Sequence, residues 1–426
     1  MSLLRNTSMT VAAHYLANGT KAAIALVVAS TLGAKGAGTF AMVRILPHLG
    51  ANVLCLGVSI AVPYLIAGRR HGLQAITQTV VALGLLLGAL GYAGWFLFGG
   101  LLHARFFTEL PEGAVLLVGT GMPLLLLRNY LNSVQQGMES FKGANLVLCM
   151  EEFGTLLLLL PLLWGAGSEG GGTTLLAIAA VGGAAASCLT AVLLLMWHRV
   201  WPWPRLHWAI AVEAIRFGLK GHVGRLANVL NWRLDAVILS ALASVEVVGC
   251  YAVASQAAEL FRPLSQSVTY VLRPLMSSLS LAEARVRGLF LYRRVFLLNL
   301  GLVLIMALVG GQAIVLIFGK EFASAVPAFQ ILLIGLAAHG ADGVVAGYNV
   351  GIGRPEFNTY TALAGLVITV VGDIALIPPY SLIGAAIASS VAYSVKAATM
   401  TALFLSSCNI TLTQLIGIKE CSPDAA

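Results

Sequence analysis

The sequence predicts an all-α integral membrane protein, with twelve transmembrane helices in two parallel-repeat six-helix lobes around a central cavity. Three observations predict it. The 426 residues are 59% hydrophobic and 10% charged, where a soluble domain carries about 45–50% apolar and about 25% charged residues. The apolar residues fall in runs of about twenty, the length that crosses a bilayer core of about 30 Å as a helix. The spacing of marker residues in the first half recurs in the second at a constant offset. This composition excludes a soluble enzyme, a nucleic-acid-binding domain and a disordered chain.

Taken in order, spans one to six are expected at 8–32, 38–66, 74–99, 113–135, 143–164 and 173–197. Spans seven to twelve are expected at 220–243, 248–276, 291–318, 326–350, 358–378 and 382–406. The breaks between them carry turn chemistry: Gly68-Arg69-Arg70-His71-Gly72, the glycine-rich stretch 165–172, Trp201-Pro202-Trp203-Pro204 and Gly351-Ile352-Gly353-Arg354-Pro355. The longest break, His198–Lys220, ends in a stretch that suits an amphipathic helix lying on the membrane surface. The first apolar run is followed by helix after helix with no processing site, so no cleavable signal is expected.

The net charge of +8 follows from loop cations. With the N-terminus inside, the cytoplasmic side holds Arg5, Arg69, Arg70, Lys142, Arg199, Arg205, Arg285, Arg287, Arg293, Arg294, Arg354 and Lys419. The other side holds Lys35, Arg105 and Lys320. That asymmetry puts both termini in the cytoplasm. The six cysteines show no metal or redox spacing and read as small hydrophobes. Neither cofactor nor metal is expected. The eight histidines are scattered, and Gly33-Ala34-Lys35-Gly36-Ala37-Gly38 lacks the preceding strand that a phosphate loop needs.

The repeat has an offset of 211 residues. Gly38-Thr39-Phe40-Ala41 aligns with Gly249-Cys250-Tyr251-Ala252, Pro63 with Pro274, Arg5 with Arg216 and His14 with Arg225. A further shift of three aligns Gln136-Gly137 with Val350-Gly351. The halves are expected at 1–205 and 206–426. Six spans each give both halves the same polarity, so the repeat axis runs along the membrane normal.

Ionisable residues at bilayer depth are costly and usually face a cavity or a partner. Lys21, Arg44, Arg225, Arg233 and Arg262 lie in repeat-equivalent spans one and seven, two and eight, and are expected to line a basic cavity. Arginine's planar fork suits phosphate oxygens. Glu259 and Arg262, three apart on one helix, form an alternative structural pair. Asp235, Glu259, Asp342 and Asp373 are the candidates for coupling a proton or sodium ion, with a structural counter-ion role as the alternative. Glu151 and Glu152 are read as opening span five, where a helix N-terminus stabilises acids. Arg128, Arg273 and Lys396 are read as snorkelling toward headgroups.

Three stretches carry a family likeness: Ser2-Leu3-Leu4-Arg5-Asn6-Thr7 with Leu32-Gly33 and Gly38-Thr39-Phe40-Ala41; Asn231 to Leu239 followed by Val248-Gly249-Cys250-Tyr251-Ala252; and Gly351 to Pro355 with Ile377-Pro378 and Ile383-Gly384-Ala385-Ala386-Ile387-Ala388. These resemble the polysaccharide transporter family of the multidrug/oligosaccharidyl-lipid/polysaccharide (MOP) exporter superfamily, which includes the Wzx-type O-antigen flippases. The resemblance implies a flippase for undecaprenyl-diphosphate-linked oligosaccharide in the bacterial cytoplasmic membrane. It would work by alternating access, with the polyprenyl tail left in lipid. It also implies membrane lipids as surroundings, and a polysaccharide polymerase and chain-length regulator as partners, with no nucleic acid. The superfamily's peptidoglycan-precursor flippases carry two further helices that this sequence lacks after span twelve. The competing readings are a multidrug/cation antiporter of the same superfamily, a membrane-embedded glycan polymerase or ligase, and an assembly scaffold. A polymerase or ligase would need a large external loop, and a scaffold would not need intramembrane charges.

Overall fold

The computed structural model describes residues 2–164, 171–261, 281–408 and 410–416, and those residues are almost entirely helical. The helices are α1 (Ser2–Leu54), α2 (Val58–Ala67), α3 (Leu73–Leu97), α4 (Gly99–Phe106), α5 (Glu112–Gly137), α6 (Phe141–Leu159) and α7 (Gly172–Trp197). They continue with α8 (Trp208–Asn231), α9 (Leu234–Leu242), α10 (Val245–Ala258), α11 (Leu281–Phe318), α12 (Ala325–His339), α13 (Asp342–Gly351), α14 (Glu356–Cys408) and α15 (Leu412–Ile416). Among the described residues, eight helical stretches are long and apolar enough to cross a membrane.

Two of these stretches are too long for one crossing. Ser8–Leu54 has 47 residues and Glu356–Ser407 has 52, so each runs to about 70 Å or more at 1.5 Å per residue, twice the hydrocarbon thickness. Each is broken where the sequence expects two spans to meet. In α1 the break is Gly33, at φ 64 and ψ −164. In α14 it is Ser381, at φ 52 and ψ −129, just after Pro378 and Pro379. Neither proline can donate to the helical ladder.

Elsewhere the expected spans are subdivided. Span two is interrupted after Leu54, and Gly57 takes φ 72 before α2 begins. At Gly57 the backbone passes so close to Gly218 that neither position has room for a side chain. Span seven is divided between α8 and α9, and span ten between α12 and α13. The stretch expected to lie on the membrane surface is the start of α8. The linker before it is pinned along α3: Gln74 Nε2 donates to the Trp201 carbonyl at 2.6 Å, and Trp201 N–H donates back to Gln74 Oε1 at 3.0 Å.

Two compact units emerge. Ser8–Val229 and Ser240–Ala252 form one, here the N-terminal unit. Met1–Thr7, Leu230–Leu239 and Val253–Ala426 form the other, here the C-terminal unit. A core of Ile24, Val28, Phe40, Leu159, Leu162 and Leu176 lies within the first. There α6 and α7 approach closely through Gly154, Gly183 and Ala186, the small-residue packing that lets membrane helices meet without a hydrophobic driving force. In the second, Leu289, Val344, Tyr348, Met400 and Phe404 pack together.

The repeat is visible as a contact inside the N-terminal unit. A Cβ on Gly38 would fall on the carbonyl oxygen of Val245, and a Cβ on Gly249 would fall on the carbonyl oxygen of Ala34. Gly38 and Gly249 are 211 residues apart, and so are Ala34 and Val245. Each helix start thus uses the same glycine against the same carbonyl of its repeat equivalent.

Candidate functional site

The charged groups at membrane depth form separate clusters in the two units. In the N-terminal unit the hub is the acidic pair Glu151 and Glu152 near the middle of α6. Both are buried, and ten residues of helix precede Glu151, about 15 Å of rise. The sequence alone reads this pair as opening span five. The structure corrects that reading, because α6 starts at Phe141.

Four cationic or titratable side chains converge on the pair. Arg44 makes a two-pronged contact, with Nη1 2.8 Å from Glu152 Oε2 and Nη2 2.8 Å from Oε1. Arg44 Nη2 also lies 3.5 Å from Glu151 Oε1. Lys21 Nζ sits 3.6 Å from Glu152 Oε1, Arg128 Nη1 2.8 Å from Glu151 Oε2, and His48 Nε2 2.8 Å from Glu151 Oε1. Lys21 and Arg44 lie on either side of the Gly33 break, and His48 follows Arg44 by one helical turn on the same face. A small cavity of about 10 Å³, room for about one water, is lined by Arg44, His48 and Glu151. Arg128 does not snorkel: it is buried, because Glu151 holds it inward. Lys396, also read as snorkelling, is buried as well.

Arg225 has a different environment. Its guanidinium donates to Ser59 Oγ at 2.5 Å and to Asn52 Oδ1 at 3.3 Å. Both partners are neutral, so these bonds leave its charge in place.

In the C-terminal unit, Arg233 pairs with Glu259. Nη1 lies 3.3 Å from Oε1 and Nη2 3.2 Å from Oε2. The alternative partner for Glu259, Arg262, lies outside the described residues, as does Arg273. Asp235 opens α9, where its Oδ1 accepts the Ala236 N–H at 2.7 Å and its Oδ2 accepts the Ser389 hydroxyl at 2.8 Å. Asp373 is fully buried, and neither carboxyl oxygen has a hydrogen-bond partner among the described residues. Asp235 lies within electrostatic range of it. One turn before each acid is a polar side chain, Asn231 and Thr369, and these two are joined by a 3.3 Å hydrogen bond from the threonine. Asp235 with Ser389, and Asn231 with Thr369, thus lie in a buried polar setting near Asp373. Asp342 instead meets His339, with Nδ1 2.6 Å from Oδ2 across the break between α12 and α13.

The described contacts thus bring Lys21 to Arg44 through Glu152 and Arg233 to Glu259, and Asp235 lies within electrostatic range of Asp373. Sequence reasoning missed Glu151, Glu152, Arg128, His48 and Ser389 as members of these clusters. For the acidic pair a signal was present. Two adjacent glutamates with apolar residues on both sides from Leu146 to Leu163 imply partners at depth.

An inward-facing multidrug-resistance MATE transporter of the MOP superfamily superposes with a TM-score of 0.75, covering 96% of this chain and 98% of that one at 16% identity. A MOP-superfamily transporter from Pyrococcus furiosus, described for the reverse polarity of its binding pocket, gives a TM-score of 0.62 at 16% identity, covering 96% of both chains. The fold is that of the MOP superfamily. A family model described as "Polysaccharide biosynthesis protein" matches residues 170–327, which bears out the resemblance to the polysaccharide transporters of that superfamily. An uncharacterized membrane protein of Methanocaldococcus jannaschii is 28% identical over 186 residues, covering 42% of this chain. The match spans about a third of that relative, 36% of its length. The fold and the eight apolar helical stretches are those of a multi-pass membrane protein.

Proposed function

We propose that this protein is a flippase for a polyprenyl-diphosphate-linked oligosaccharide, of the undecaprenyl type, in polysaccharide biosynthesis such as that of O-antigen, capsule or exopolysaccharide. The observation that carries the proposal is the meeting of Lys21 and Arg44 at membrane depth in a chain matched by a polysaccharide-biosynthesis family. Lysine and arginine held there are costly, and a diphosphate is a ligand that uses both, the arginine as a fork and the lysine as a point charge. Arg225, whose partners among the described residues are neutral, adds a cation whose charge is available to the same chemistry, and Arg233, paired with Glu259, is proposed as a further cation in the second half.

In this reading the two halves, 1–205 and 206–426, are the lobes that alternate access, with both termini cytoplasmic in the inner membrane. A polymerase and a chain-length regulator would be its partners in the membrane. The buried Asp235–Asp373 pair with Asn231, Thr369 and Ser389 is the candidate for ion coupling, because two close carboxyls cannot both stay charged without a proton or cation between them. The carboxyl, hydroxyl and amide oxygens of these residues are the donor type a hard cation takes. Glu259 and Asp342, paired with Arg233 and His339, take structural roles.

The test is flipping of a fluorescent polyprenyl-diphosphate oligosaccharide in proteoliposomes. Lys21→Ala and Arg233→Ala are expected to abolish it while leaving membrane insertion intact, and Asp373→Asn to abolish its dependence on an imposed proton or sodium gradient. A second reading, a multidrug/cation antiporter, is favoured by the buried acids and by the MATE-like fold. Gradient-driven dye movement with no flipping of the diphosphate lipid would establish that reading instead.

A further inference from the structure

The arrangement around Glu152 has a consequence for how an anionic ligand is bound and released. Both prongs of the Arg44 guanidinium are occupied by one carboxylate, at 2.8 Å each, and Lys21 leans on the same carboxylate at 3.6 Å. The contacts are graded by depth. The Lys21 side chain is 38% exposed and Arg44 19%, whereas Glu152 behind them is 3% exposed. Arg128 and Glu151, at 9% and 7%, form a second buried pair, which Arg44 reaches only through a longer contact of 3.5 Å to Glu151. An incoming anion would therefore meet Lys21 first, then Arg44, with Glu152 at their back.

A carboxylate and a phosphate present arginine with the same two-oxygen geometry. We infer that Glu152 is a built-in counter-anion that occupies Arg44 and Lys21 in place of a phosphate-bearing ligand and is displaced from them when the ligand binds. This rests on the anion-binding role of Lys21 and Arg44 proposed above. Displacement leaves a buried carboxylate short of its cations, which is strongly unfavourable, so part of the ligand's interaction is offset by the exposed need of Glu152. The consequence is moderate affinity. A transporter requires that, since a ligand must bind well enough to enter and weakly enough to leave. When the ligand departs, Glu152 recovers its partners, and the empty protein returns without an uncompensated basic pair. Arg128 and His48 do not substitute for Arg44 at Glu152, because both are engaged by Glu151.

The full-length protein in detergent is titrated with inorganic pyrophosphate and, separately, with farnesyl diphosphate, and flipping is measured in parallel. Glu152→Gln keeps the size and a hydrogen-bond acceptor but removes the charge. It is expected to bind pyrophosphate about tenfold or more tightly, equivalent to about 1.4 kcal/mol, while flipping more slowly. Glu213→Gln, which changes an acid paired with Arg70 and His71 and not with this cluster, is expected to leave affinity within about threefold, and Arg44→Gln to abolish binding. Glu152→Gln that folds and binds with unchanged affinity, while Arg44→Gln loses binding, overturns the counter-anion role and leaves the basic site standing. Binding by neither wild type nor Glu152→Gln overturns both. Glu152→Asp serves if Glu152→Gln does not fold: a shorter acid holds Arg44 less well, and tighter pyrophosphate binding is again expected. Pyrophosphate tightening alone points to a free phosphate compound as ligand, and equal tightening of farnesyl diphosphate to a lipid headgroup.

Discussion

At the scale of single residues, the most informative side chain is Arg128. In the sequence it stands alone in span four, and its nearest route to comfort is the headgroup layer, so substitution would matter little. The structure holds it 2.8 Å from Glu151 in a buried pair. Removing one partner of a buried pair typically costs about 3–5 kcal/mol, because the other charge remains without compensation. Arg128→Ala should therefore lower thermal stability strongly and reduce the amount of protein surviving extraction, as read by fluorescence-detected size exclusion. Glu151→Gln combined with Arg128→Gln should recover much of the loss, since a neutral pair leaves no orphaned charge. Recovery without effect on the Arg44–Glu152 contact would separate the structural deep pair from the shallower one assigned to ligand exchange. The same logic explains what the sequence displayed and what it hid. That Lys21, Arg44 and Arg233 are special is legible, because charges in apolar runs are rare. Which acid each one meets is not, because Arg44 and Glu152 are 108 residues apart and only the fold joins them.

At the scale of helices, the sequence is a better guide to breaks between spans than to breaks within them. The turn between spans one and two falls at Gly33, and that between spans eleven and twelve at Ser381 beside Pro378 and Pro379. Both are announced by residues with known backbone preferences. The interruption at 55–57 is not announced in the same way. It exists because Gly57 must pass against Gly218, a long-range approach that local propensity does not record. The reciprocal contact of Gly38 and Gly249 combines the two cases, for the repeat is readable as an offset while the touching of the two glycines is not. Its symmetry makes a sharp prediction. Gly38→Val and Gly249→Val each place a side chain on a carbonyl of the other helix, so each should destabilise the protein and impair transport, and by similar amounts. Gly100→Val is the control, since a Cβ there meets nothing within 4 Å. A large difference between the two glycine variants, in melting temperature or in transport, would show that the contact does not carry equal weight for the two repeats.

At the scale of the molecule, the remaining question is orientation. The loop cations divide unevenly between the two sides expected from the span order, with Arg69, Arg70, Arg199, Arg205 and Arg354 on one and Lys35 and Arg105 on the other. Lys35 is further tied to Glu109 at 2.7 Å, which leaves its side even poorer in free positive charge. Arg70 and His71 meet Glu213, yet Arg69, Arg199 and Arg205 in the neighbouring turns keep the first side strongly basic. The positive-inside bias acts during insertion, and it acts through short loops of this kind. The turn at 68–72 should therefore be cytoplasmic and the turn at 107–111 external. Single cysteines at His71 and Thr108, in a background with the native cysteines replaced, should be labelled from opposite sides by a membrane-impermeant maleimide in intact cells. Labelling of Thr108→Cys alone supports the assignment. Labelling of His71→Cys alone would invert the molecule, carrying the Lys21–Arg44 basic groups with it, and would overturn the cytoplasmic placement of both termini.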